Sequence, residues 1–131
     1  MSLTGFTALE LGKKIKAREV SVKETAAAFL AAIRKRDQTT NSFITVDEEQ
    51  VLKRAELVQT QIDNGSLCGP LAGAPMAVKD NICTKGIKTT CGSKMLDQFI
   101  PTYTAEAVRN LECAGAVLLG IYVQPLLGFL E

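Results

Sequence analysis

A chain of 131 residues with 47% hydrophobic and 22% charged residues has a globular composition, long enough for one domain with a core and short enough to be a piece of a larger one. Fifteen basic and 14 acidic residues leave a net charge of +1, which excludes the electrostatic footprint of a direct nucleic-acid or anionic-membrane binder. The four cysteines, Cys68, Cys83, Cys91 and Cys113, form no C-x-x-C pair, and no histidine is present to complete a mixed zinc site, so no bound metal is expected.

The N-terminal part reads as helical. Thr7 with Glu10, and Ser21 with Glu24, have capping-box spacing, in which a hydroxyl accepts from a free N–H and the carboxylate reaches back. Lys13, Lys14 and Lys16 fall where a signal peptide would need its apolar region. The thiols therefore read as reduced, and the compartment as the cytosol or, after loss of a transit peptide, an organelle matrix. Beyond Ser21, the residues Val22, Ala26, Phe29, Leu30 and Ile33 share one helical face, while Lys23, Arg34, Lys35 and Arg36 point away as a solvated side and end.

Residues 43–46 are a short β-prone run. Asp47 with Gln50 opens another helix, whose seam is Val51, Ala55, Val58 and Ile62 and which Asn64-Gly65 stops. The Gly- and Pro-rich stretch GSLCGPLAGAP is then a loop leading into a strand at 76–78, with a second strand expected at 87–90. Thr104 is placed to cap a helix carrying Ala107, Val108, Leu111 and Ala114, Gly115 to end it, and residues 116–119 to form a fully apolar strand. The apolar stretch from 116 to 130 is shorter than the roughly 20 residues a membrane span needs and contains Gln124 and Pro125, so it reads as a buried strand plus a tail. Helices alternating with short apolar strands predict an α/β fold in which helices cover a sheet.

In that arrangement the run from Leu71 to Val78 delivers Lys79, Asp80 and Asn81 to the carboxyl end of a strand, where open α/β sheets usually place their chemistry. Spacing alone leaves two readings open. Lys79 is either a charge that closes a strand, with Asp80 as a plausible ion-pair partner, or an amine held in a dry place for use.

The segment GPLAGAPMAVKDNICTKGIKTTCGSKML, followed by F-x-P-x-Y-x-A-x-x-V-x-x-L-x-x-A-G-A-V-x-x-G from Phe99 to Gly120, resembles the amidase signature family. Within it, KDNICTKGIKTTCGSKML and the helical start TALELGKKIKAREVSVKETAAAFLAAI are most similar to the branch formed by the A subunits of glutamine-dependent Glu-tRNA(Gln) amidotransferases. The likeness runs from about Thr7 to Gly120. It implies the N-terminal portion of an α/β/α amidase-signature fold, incomplete here, with a mixed sheet and covering helices.

It also implies a Ser-Ser-Lys triad in which Lys79 matches a buried base that draws a proton through a bridging serine from a nucleophilic one. Desolvation disfavours an ammonium, which suits an amine at the end of an apolar strand to that role. The parent activity implied is release of ammonia from the side-chain amide of glutamine through an acyl-enzyme, for conversion of Glu-tRNA(Gln) to Gln-tRNA(Gln). B- and C-type subunits are the implied partners, with tRNA met only through the complex. ATP and Mg are implied for the parent complex, and no cofactor for this chain.

The sequence also departs from the family pattern. Its serines are Ser2, Ser21, Ser42, Ser66 and Ser93, and only Ser93 follows the lysine. The family's two serines lie in a Gly/Ser-rich loop further downstream, which has no match here, and Ser93 is not its nucleophile. The likeness breaks at Ile121. The expectation is therefore a partial amidase domain over residues 1–120 and a divergent apolar tail over 121–131, as a truncated frame or fusion junction would leave. Two alternatives are a non-catalytic assembly or regulatory module derived from such a subunit, and a piece of another amidase-signature hydrolase acting on small amides.

Overall fold

A computed structural model of the chain describes residues 2–123. A short 3-10 turn, Leu3–Gly5, precedes helix α1, Ala8–Lys16, and helix α2, Val22–Thr40. Both helices start where the spacing predicts. Thr7 and Ser21 each accept from the amide of the residue three along, Glu10 and Glu24, whose carboxylates return the bond to the cap amides. Strand β1, Phe43–Thr45, and helix α3, Glu48–Asp63, follow, with the Asp47 side chain accepting from Gln50 N and Asn64 as the C-cap. Strand β2, Pro75–Lys79, a 3-10 turn at Lys94–Leu96, helix α4, Glu106–Cys113, and strand β3, Val117–Tyr122, complete the described elements.

The three strands form one mixed sheet in the order β1-β3-β2, with β3 antiparallel to β1 and parallel to β2. Helices α2 and α3 cover one face through Val22, Ala26, Leu30, Val51, Ala55 and Val58, which pack on Val117 and Leu119. The seams are those the helical periodicity picks out, and Arg34 of the basic cluster reaches across as a forked ion pair to Glu48 at the start of α3.

Strict alternation along β3 would put Ile121 on the same face as Val117 and Leu119. Instead Met76 pairs with Leu118 and Ala77 with Gly120, so Leu119 is an extra residue opposite β2 and the alternation is reset. Ile121 therefore faces the other side, where it joins Val78 and Val108 in a second, smaller cluster flanked by Met76, Ile82, Ile87, Ala105 and Leu118.

Three expectations need correction. Residues 87–90 form no strand: Ile87 makes only an isolated bridge to Thr84, and Thr89 N and Thr90 N donate to Phe99 O and to the Asp80 carboxylate, which bends the segment into a loop. Thr104 does not cap α4, because its hydroxyl accepts from Lys85 N at 3.0 Å and the cap position is Ala105. The last strand does not end at Leu119 but runs through Gly120 to Tyr122, across the boundary expected between domain and tail. The remainder of the apolar tail, 124–131, lies outside the described residues. No helix among the described residues is long and apolar enough to cross a membrane.

The junction between α2 and β1 is tied by Asp37, whose Oδ1 accepts from Ser42 N at 2.6 Å, from Phe43 N at 3.2 Å and from the Thr40 hydroxyl at 3.0 Å. Desolvation pushes this carboxyl up, but the two amides and the hydroxyl outweigh it and hold its pKa below the ordinary 3.8. A depressed acid contributes stability that is fully present above its unfolded-state pKa and is lost as pH falls through the folded-state one. Asp37→Asn is thus expected to lower the urea midpoint at pH 7, with the gap to wild type closing as pH drops below 3.8. A gap that stays constant down to the acid limb would show that the carboxylate's charge is not what holds this junction.

Candidate functional site

Lys79 is the last residue of β2 and pairs with Tyr122, so it stands where the carboxyl ends of two parallel strands meet. The sequence position is right, but the side chain is half-buried, where the family role leads one to expect a mostly buried amine. Its carbonyl accepts from Ile82 N at 3.0 Å, closing the turn through Asp80 and the exposed Asn81.

Asp80 is only 2% exposed, and its side chain faces the turn formed by residues 90–93. Oδ1 accepts from Thr90 N at 2.7 Å, while Oδ2 accepts from the Thr90 hydroxyl and from Gly92 N at 3.2 Å. Ser93, the one serine after the lysine, closes this turn by donating its N–H to Thr90 O, and its Oγ accepts from Met95 N at 3.3 Å as the cap of the Lys94–Leu96 turn. The chain thus folds Asp80, Thr90 and Gly92 together immediately beyond Lys79, with Ser93 in the same turn. Sequence reasoning missed Thr90 and the role of Asp80. The only signal available was an acid followed nine residues later by the small polar run T-T-C-G-S, which is weak without knowledge of the loop's path.

In the same loop, Thr89 Oγ1 is buried and neither accepts nor donates a hydrogen bond among the described residues. Beside β3 lies an open groove of about 880 Å3, with Ile44, Arg54, Lys88, Thr90, Ile100 and Leu118 in its walls; Lys79 does not line it. Among the described residues no three His, Cys, Asp or Glu side chains are grouped as a metal site would need.

A family model described as Amidase matches residues 24–129. The chain belongs to the amidase family. It is 57% identical over 120 residues to a protein of Agathobacter rectalis named as the A subunit of glutamyl-tRNA(Gln) amidotransferase, and 50% identical over 121 residues to the protein of the same name from Lachnoclostridium phytofermentans. Each match takes in 92% of this chain and 24% of the relative, so the chain spans about a quarter of the length of the curated relatives it matches.

Among solved structures, the peptide amidase of Stenotrophomonas maltophilia superimposes with a TM-score of 0.81 at 33% identity, over 88% of this chain and 24% of that one. Fatty acid amide hydrolase does so with a TM-score of 0.84 at 31% identity, over 94% and 22%. The α/β architecture with a mixed sheet is therefore that of amidase-signature enzymes, and within the family the sequence is similar to the amidotransferase A subunits.

Proposed function

We propose that this chain supplies the lysine-bearing part of an amidotransferase A subunit that releases ammonia from glutamine, with Lys79 as the base. The observation that carries this reading is the position of Lys79, at the carboxyl end of β2 beside β3, in a chain more than half identical to a protein named as such an A subunit. In its amine form Lys79 would take the proton of a serine hydroxyl through a bridging serine. The serine oxygen then bonds to the amide carbon, the carbon–nitrogen bond breaks with the proton returned to nitrogen, and ammonia leaves an ester that water hydrolyses.

On this reading Ser93 is not the nucleophile: its Oγ accepts from Met95 N as the cap of the Lys94–Leu96 turn, and the family resemblance puts the nucleophilic and bridging serines in a Gly/Ser-rich loop. Forming an amide from a tRNA-bound glutamate carboxylate also requires activating that carboxylate, the task ATP and Mg2+ perform in the parent complex. The described residues offer no grouped ligands for a metal, and no step is assigned to it. B- and C-type partner subunits, and placement in the cytosol or an organelle matrix, belong to the same reading.

A second reading, a non-catalytic assembly module, is favoured by a single observation, that Lys79 is half-buried where a base would be mostly buried. A chimera separates the two. Residues 1–120 of this chain replace the matching segment of the Agathobacter rectalis relative, which is expressed with its partner subunits and assayed for ammonia release from glutamine. The base reading expects activity within about tenfold of the unmodified relative. An assembled, folded but inactive chimera would leave only the assembly reading.

A further inference from the structure

We propose that Asp80 is a positioning residue that clamps the Thr90–Ser93 turn onto the carboxyl end of β2, fixing the turn relative to its neighbour Lys79. As a statement about the site this rests on the amidase reading above; the clamp itself stands on geometry.

Two segments, β3 and the turn at 90–92, converge on this one residue. Its N–H donates to Tyr122 O of β3 at 2.8 Å, its carbonyl accepts from Cys91 N at 2.9 Å, and its carboxylate takes the amides of Thr90 and Gly92 and the Thr90 hydroxyl. A carboxylate this buried is costly unless its oxygens are satisfied, and here both are, by donors ten to twelve residues further along the chain. The Thr90 hydroxyl also accepts from Gly92 N at 3.3 Å, so the side chain of Thr90 links acid and turn.

The turn needs such a clamp. Cys91 and Gly92 are consecutive left-handed residues, at φ 51° and 67°. Nothing lies within 4 Å of a Cβ added at Gly92, so that glycine answers to backbone conformation and not to crowding. A non-glycine residue such as Cys91 holds this conformation only where its surroundings over-determine it. The rest of the loop is secured without Asp80, by Gly86 N to Pro101 O at 3.1 Å, Thr89 N to Phe99 O at 3.1 Å and Ala105 N to Cys83 O at 2.8 Å. The bonds to Asp80 therefore act on the exposed turn beside Lys79 more than on the loop as a whole.

The test is residue-resolved amide exchange in the folded chain, together with acetylation of Lys79 by acetic anhydride, followed by mass spectrometry with Lys53 as the internal reference. Asp80→Ala is expected to speed exchange at Thr90 and Gly92 at least tenfold while α2 and α3 amides stay within about twofold, and to raise Lys79 acetylation relative to Lys53 at least threefold. Unchanged exchange at both amides, an equal acceleration throughout the helices, or an unchanged Lys79 ratio would each overturn the clamp.

Should Asp80→Ala fail to fold, Thr90→Val removes only the hydroxyl and decides the matter. Faster exchange at Gly92 supports the clamp, and an unaltered rate sinks it. Neither readout needs an amide substrate, so an inactive chimera would defeat the amidase reading with the clamp intact, and a failed clamp would leave the chimera result untouched.

Discussion

Gly120→Val is expected to cost about 3 kcal/mol of folding stability, the upper end of the roughly 1–3 kcal/mol typical of overpacking. A Cβ on Gly120 would stand 2.5 Å from Thr45 O, 2.9 Å from Val46 Cγ2 and 3.1 Å from Phe43 Cδ1. The nearest of these is backbone, which cannot rotate aside. Relief therefore requires β1 to move off β3, opening the antiparallel pair at Phe43–Tyr122 and Thr45–Ile121. Against a net stability of about 5–15 kcal/mol, such a loss is a large fraction of the total. Gly65→Ala is the control. Gly65 is left-handed at φ 80° with nothing within 4 Å of an added Cβ, so only the conformational penalty of about 1 kcal/mol applies. Urea unfolding of the two variants should separate them clearly, and equal midpoints would show that the β1–β3 approach is looser than these distances.

That close approach is not legible in the sequence, and the reason is general. Helix starts are legible, because a capping box is local: Ser21 and Glu24 carry in four residues the bonds they make in the fold. The seams of α2 and α3 are too, because each face repeats with the helical period and both bury on the same strand. What fails depends on residues distant in sequence. The run 87–90 has the composition of a strand, but its amides are taken by Phe99 O and by Asp80, so no neighbouring strand pairs with it. Thr104 has the right type for a cap, but Lys85 N reaches it first. The extra residue at Leu119 is invisible in a uniformly apolar stretch, where a shift of register changes no pattern of polar and apolar residues.

The site divides in the same way. Lys79 can be placed at a strand's end from the apolar run before it, and the family resemblance gives it a role. Its half-buried state cannot be read, because burial there depends on what packs around the strand's end and not on the strand itself. Asp80 is visible only as a possible ion-pair partner. Its commitment to Thr90 and Gly92 follows from the path of a loop that no local signal describes.

The largest effect is expected at Lys79. In the chimera with the Agathobacter rectalis relative, Lys79→Ala should lower kcat for ammonia release from glutamine by about 10^3 or more, since general-base catalysis alone contributes about 10^2 to 10^4. Members of a nucleophile–base unit lose activity together, because a serine that cannot shed its proton and a base with no serine to serve are equally idle. A polypeptide of residues 1–131 alone is accordingly expected to release no measurable ammonia from glutamine, with or without the substitution. Lys79→Arg sharpens the argument, because arginine keeps the positive charge and much of the length but does not act as a base at neutral pH. If Lys79 served only to hold a charge at the strand's end, Arg would restore much of what Ala removes. Equal loss in the two variants, with assembly of the chimera intact, assigns the amine a proton-transfer role, whereas recovery by Arg would reduce it to an electrostatic support.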